Sequence, residues 1–254
     1  MPHALVHIGT HKTGTSSLQR WADENRDALL RDRGIHVYEG RYSSNHLEFV
    51  LLCMRRNRTI PATARHIESL LDEWRDETRR YIGEQVAHEA PTLLVSAEAL
   101  SLLRHPDEVE ALARVLAPRD VTVAVCLRDP ATFLKSYRDQ LERMGQPPSR
   151  YPSSHAYVEP DSWLVRWDEM LAVWRSVIGA DRVVAVGYED AVDEHGSTIP
   201  GVLDALGVDL AGLPSWEEYR DNPTSVPATA APPRPRGARR VLAGARRKLG
   251  RRRG

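Results

Sequence analysis

The sequence predicts an α/β fold, a three-layer sandwich with helices on both faces of a central parallel sheet, followed by a disordered basic C-terminal tail. Three observations predict it. Short runs rich in β-branched residues at 4–8, 92–96, 121–127 and 183–186 alternate with helical patterns, which is the order of parallel strands joined by crossover helices. The first run passes through a glycine loop directly into a polar helix start. From Pro223 onward the chain reads PTSVPATAAPPRPRGARR, which cannot build a packed core, so the folded domain is placed at 1–221 and the tail at 222–254.

Taken in order, the first helix is expected over 16–31. A longer one over 67–86 follows from Ile67, Leu70, Leu71, Trp74, Tyr81, Ile82 and Val86, which recur at three- and four-residue steps and mark one face. Further helices are expected over 106–116, 131–144, 162–178 and 199–206, the last closed by Gly207. Trp163, Trp167 and Trp174 have helical spacing and read as core rather than as a platform for a sugar ring. Cys53 and Cys126 lie in apolar surroundings without a CxxC or histidine partner, so packing is expected of them, and no metal-ligand set is visible.

The composition, 41% hydrophobic and 28% charged, is that of a globular chain with enough apolar surface to bury. No stretch approaches the roughly 18 uncharged apolar residues a membrane-spanning helix needs, and strand-like sequence from Ala4 leaves no room for a signal peptide, so a cytoplasmic protein is expected. The net charge of zero conceals an asymmetry. Residues 222–254 hold ten Lys or Arg and no acid, which leaves 35 − 10 = 25 basic against 35 acidic residues in 1–221. The segment GARRVLAGARRKLGRRRG has an amphipathic helical pattern with Val241, Leu242, Ala245 and Leu249 on one side. Contact with an anionic membrane surface, docking on the acidic body, or a solvated tail all suit it, and nucleic acid is not the expected partner.

The segment ALVHIGTHKTGTSSLQRW has the layout of an anion site. Backbone N–H groups at a helix start have no intrahelical partners and point toward a bound phosphate. Gly9 and Gly14 permit the tight turn, Thr10 and His11 lie within it, Lys12 adds a full charge, and Thr13, Thr15, Ser16 and Ser17 offer hydroxyls. The loop is therefore of the P-loop type. In the nucleoside-triphosphatase form, GxxxxGK[ST], lysine follows the second glycine, whereas here Thr15 takes that place and Lys12 precedes Gly14 by two.

With this order, Lys12-Thr13-Gly14-Thr15-Ser16, the loop resembles the 5′-phosphosulfate loop K-[ST]-G-T-[ST] of the sulfotransferase superfamily. A second segment, VTVAVCLRDPATFLKSYRDQL, resembles that family's 3′-phosphate motif, R-x-P-x-x-x-x-x-S-x-Y, through Arg128, Pro130, Ser136 and Tyr137. DRVVAVGYEDAV and IPGVLDALGV are similar to the family's late strand and helix, so the likeness spans most of 3–210. It is looser than for the cytosolic small-molecule enzymes, which have an adenine-stacking tryptophan where this chain has Ser17 and a C-terminal RKGxxGxWK segment that is missing here. The closer likeness is to bacterial and carbohydrate-directed members.

The resemblance implies a sulfotransferase using 3′-phosphoadenosine 5′-phosphosulfate (PAPS) as co-substrate without a metal. It places Lys12 at the bridging oxygen, Thr15 and Ser16 on the 5′-phosphate, and Arg128 and Ser136 on the 3′-phosphate. For the general base it points to Glu98, where Ser96-Ala97-Glu98 stands in place of a strand-end KTH, or to His46 or Glu48 in SSNHLEF. Glu98 also falls at the carboxyl edge of the predicted sheet, where open α/β folds bind ligands. His7 and His11 read as packing or hydrogen-bonding residues beside the loop. The implied acceptor is a hydroxyl or amine of a carbohydrate, lipid or small metabolite, in a pocket built from 39–65 and 145–161. Two other readings stay open, a P-loop kinase and a catalytically degenerate nucleotide-binding interaction protein.

Overall fold

The computed structural model describes residues 1–58 and 72–219. The tail, and residues 67–71 of the expected long helix, lie outside that range.

Five strands form one all-parallel sheet in the order β2-β3-β1-β4-β5: β1 (His3–His7), β2 (Ile35–Val37), β3 (Thr92–Ser96), β4 (Asp120–Leu127) and β5 (Val183–Gly187). Successive side chains point to opposite faces, and the cores follow that alternation. Val6, Val95 and Val123 pack on one face with α3 (Leu47–Cys53), α4 (Asp72–Val86), α5 (Pro106–Leu116), α6 (Pro130–Arg143) and α7 (Trp167–Ile178). Leu5, Leu94 and Ala124 pack on the other with α1 (Thr15–Glu24), α2 (Arg26–Arg33) and α9 (Ile199–Ala205). The three expected layers are present. Between β5 and α9 runs α8 (Tyr188–His195), which the sequence did not announce. Cys53 and Cys126 are free and buried.

Two expected helices are interrupted, each by side-chain chemistry. The segment 16–31 breaks at Asn25, whose Nδ2 donates to the Trp21 carbonyl at 2.8 Å, so the side chain competes with the helical ladder. The segment 162–178 begins as a single tight turn, Trp163–Val165, and restarts at Trp167. There the guanidinium of Arg104 donates to the carbonyls of Leu164 (3.0 Å) and Arg166 (3.3 Å), groups a continuous helix would use internally. Strand β2 is only three residues long and carries too little pattern to be read.

Two buried histidines give the fold an acid limit. Burial lowers the His7 pKa from 6.5 to about 4, and lowers that of His46 to about 3. Both are neutral in the folded chain, while the unfolded chain takes up a proton below 6.5, so stability is complete above that pH and falls as pH drops toward 4. Each histidine withdraws about 1.4 kcal/mol per pH unit inside its window. Urea unfolding at pH 7.5 and at pH 5 should show an unfolding free energy lower at pH 5 by about 4 kcal/mol, two histidines each over about 1.5 pH units below 6.5, and His46→Gln should flatten the dependence.

Candidate active site

Strand β1 delivers the loop to the carboxyl edge of the sheet, between β3 and β4. The ladder continues past the strand end, with Thr10 N–H donating to the Cys126 carbonyl at 2.9 Å and Cys126 N–H to the Gly9 carbonyl at 2.6 Å. Thr13 was expected to offer its hydroxyl to the site, with Thr10 lying in the turn beside it. Instead both are buried and donate inward, Thr10 Oγ1 to the Cys126 carbonyl (3.2 Å) and Thr13 Oγ1 to the Thr10 carbonyl (2.7 Å), so they hold the loop's shape. Ser16 is exposed at the start of α1, whose first turn has no side-chain cap and no acid. A helix start, whose first N–H groups have no intrahelical partner and whose dipole is positive there, is receptive to an anion.

The glycines are there for space. Gly9 has φ +88°, and a Cβ there would lie 2.9 Å from the Glu98 Cα; Gly14 has φ +82°, and a Cβ there would lie 2.6 Å from Thr198 Oγ1. Thr198, just ahead of α9, donates to the Thr13 carbonyl at 3.0 Å and buttresses the loop from below. No sequence signal pointed to it. Gly14→Ala should therefore cost about 1–2 kcal/mol for the left-handed backbone alone. The added clash should displace the loop, seen as a lower thermal midpoint.

Lys12 is itself at φ 63°, and its ammonium makes no hydrogen bond or ion pair among the described residues. Its pKa is lowered, first by burial and then by Arg143 and Arg128, with Glu98 and Asp139 opposing. Arg128, from the end of β4, reaches across 116 residues of sequence to donate from Nη1 to the Lys12 carbonyl at 3.2 Å. Its guanidinium lies 4.6 Å from the centre of the Tyr188 ring, and Trp167 Nε1 donates to its carbonyl at 3.2 Å. Glu189 comes only to 3.9 Å, so Arg128 Nε is a buried donor without a hydrogen bond. Ser136 on α6 is half-buried, and its hydroxyl makes no hydrogen bond among the described residues. Two cations, the Lys12 ammonium and the Arg128 guanidinium, keep unused donors beside glycine-cleared space, an arrangement that fits a polyanion.

Next to this loop is a cavity of about 170 Å³ whose polar wall includes His11, Glu98 and Tyr137, and whose apolar wall includes Leu47, Leu102 and Leu141. His11 Nε2 lies 3.8 Å from Glu98 Oε1, and its ring meets that of Tyr137 edge-on at 5.4 Å. The Tyr137 hydroxyl is buried without a partner. Tyr137 stands one position ahead of the motif's tyrosine, whose place Arg138 takes. His46 sits elsewhere in function: its Nδ1 accepts the Ser96 N–H at 3.3 Å, which puts its proton on Nε2 and leaves no acceptor for a substrate proton. Glu48 is fully buried and accepts from Tyr38 Oη and Arg41 N–H, both at 2.8 Å. His7 bonds Ser96 Oγ at 2.9 Å. No group of three or more His, Cys, Asp or Glu among the described residues is placed to hold a metal.

A parallel sheet with this strand order, with a glycine turn and converging cations at its carboxyl edge, defines an open α/β domain with a P-loop-type turn. The chain belongs to the sulfotransferase family, whose model matches residues 5–212. Among solved structures it is similar to a sulfotransferase from Alicyclobacillus acidocaldarius, at 14% identity over 85% of each chain with a TM-score of 0.58. It is also similar to the sulfotransferase domain from the curacin biosynthetic pathway, at 14% identity over 84% of this chain and 76% of that one, with a TM-score of 0.47. No curated protein matches the chain. Among the described residues no helix is long and apolar enough to cross a membrane.

Proposed function

We propose that this chain transfers a sulfuryl group from PAPS to a hydroxyl, or an amine, of a carbohydrate, lipid or small-metabolite acceptor, as a bacterial or carbohydrate-directed member of its family. One observation carries the reading: Arg128 Nη1 bonds the carbonyl of Lys12, so two phosphate-type motifs far apart in sequence share one site. The α1 N–H groups with Thr15 and Ser16 hold the 5′-phosphate, while Arg128 and Ser136 hold the 3′-phosphate. Gly9, Gly14 and the buried hydroxyls of Thr10 and Thr13 fix the turn, and His11 and Ser17 complete its walls.

In transfer, the bond between sulfur and the bridging oxygen breaks as a new one forms to the acceptor oxygen. Lys12 balances the charge gathering on the bridging oxygen. Glu98, facing the neighbouring cavity beside His11, takes the acceptor's proton. The family likeness gave His46 and Glu48 as other sites for the base; the bond of His46 to Ser96 and the full burial of Glu48 favour Glu98. Glu98→Gln should lower kcat by about 100-fold while PAP affinity stays within twofold of wild type, measured as PAP released from PAPS. Unchanged kcat would remove Glu98 from the chemistry.

The basic tail suits a cytoplasmic protein that touches the inner membrane surface through Lys248 and its neighbouring arginines. Flotation of the full chain and of residues 1–221 with anionic vesicles tests this, and equal behaviour would dismiss it.

A further inference from the structure

Glu98 is fixed along its backbone and loose at its side chain. Ala97 N–H donates to the His7 carbonyl at 2.9 Å and Ser101 Oγ to the Glu98 carbonyl at 2.8 Å, so the main chain is pinned on both sides. The space that Gly9 leaves sets this turn directly against the loop. The carboxylate makes no hydrogen bond among the described residues. Within 4.0 Å it meets one basic side-chain nitrogen of those residues, His11 Nε2 at 3.8 Å.

A stronger partner stands close by. Burial and then Arg143 lower the Lys12 pKa while Glu98 opposes them, so the carboxylate already acts on that ammonium, yet no ion pair joins the two side chains. Glutamate turns freely about its side-chain bonds, and an unpaired cation crowded by Arg143 and Arg128 attracts it. A closed pair would occupy both the ammonium that the nucleotide needs and the oxygens that the acceptor's proton needs.

His11 is placed to prevent it. It is buried, it precedes Lys12 in the turn, and its ring meets that of Tyr137 at an interplanar angle of 71°. Tyr137 stacks on Phe133 at 5.6 Å, and Phe133 meets Trp167 edge-on at 5.2 Å. The imidazole therefore ends a row of packed rings and stands as a rigid donor beside a flexible carboxylate. One turn carries the cation for the leaving oxygen and the group that holds the base apart from it.

We infer that His11 is a positioning residue, whose Nε2–H keeps the Glu98 carboxylate turned to the cavity and out of an ion pair with Lys12. The inference rests on the sulfotransferase reading. The test is calorimetric titration of PAP into the full chain and its variants, with thermal midpoints as the check on folding. His11→Phe keeps a ring against Tyr137 and loses the donor; it should bind PAP about tenfold more weakly than wild type, as should His11→Ala, because Glu98 then competes for Lys12. Adding Glu98→Gln to either should return the affinity to within about twofold of wild type. His11→Gln, which keeps an N–H at similar reach, should bind as wild type does. A loop merely distorted by the loss of His11 would not be repaired by a change at Glu98. Normal PAP affinity in His11→Phe and His11→Ala, a loss that persists with Glu98→Gln, or an equal loss in His11→Gln overturns the inference while the nucleotide reading stands. A wild-type chain that takes up no PAP removes the nucleotide reading, and the inference with it.

Discussion

Lys12→Ala is expected to lower kcat by about 100- to 1000-fold, the loss typical of removing one preorganised donor from a developing charge. The size follows from the residue's setting. Lys12 is partly buried, is held at φ 63° by a loop pinned to β4, and has no partner among the described residues to satisfy its ammonium. A cation desolvated in this way beside Arg128 and Arg143 is stabilised only when an anion arrives, and most when charge moves onto the bridging oxygen. Single-turnover release of PAP from PAPS reads the effect. The loss should fall on kcat more than on KM, and a normal kcat in Lys12→Ala would place the charge stabilisation elsewhere.

Arg128→Ala is expected to weaken PAP binding by 30-fold or more, on the order of 2–5 kcal/mol for a buried, hydrogen-bonded charge contact. Arg128→Lys should restore little. Nη1 bonds Lys12, the planar group stacks on Tyr188, and Nε remains for a phosphate; an ammonium supplies neither the plane nor the fork. Because Arg128 also braces the loop, thermal midpoints of both variants should be compared with wild type. A variant that binds PAP normally would separate Arg128 from the 3′-phosphate.

The parts of this account legible in the sequence are those fixed by short-range pattern. β-branched runs gave four strands, and Gly9, Lys12 and Gly14 gave the loop, because both depend on contiguous residues. The breaks at Asn25 and Arg166 were not legible, since they depend on side chains meeting carbonyls, in the second case those of Arg104 from 60 and 62 residues away. Thr198 was invisible for the same reason: its contact with Thr13 spans 185 residues. His46 is the instructive case. The family likeness pointed to it as a base, but only the fold shows its Nδ1 turned to the Ser96 N–H. The stretches 39–65 and 145–161 were expected to shape the acceptor pocket, and they supply Arg58, Tyr151 and Ser153 to a second cavity, of about 750 Å³.

Calorimetric titration of the purified chain with PAP and, separately, with ATP and magnesium is the most direct test of whether the lysine turn and the arginine strand end form one nucleotide site. The account predicts saturable 1:1 binding of PAP, with ATP weaker by at least about tenfold because Arg128 and Ser136 find no 3′-phosphate. Absence of heat with PAP, or a preference for ATP, would contradict it.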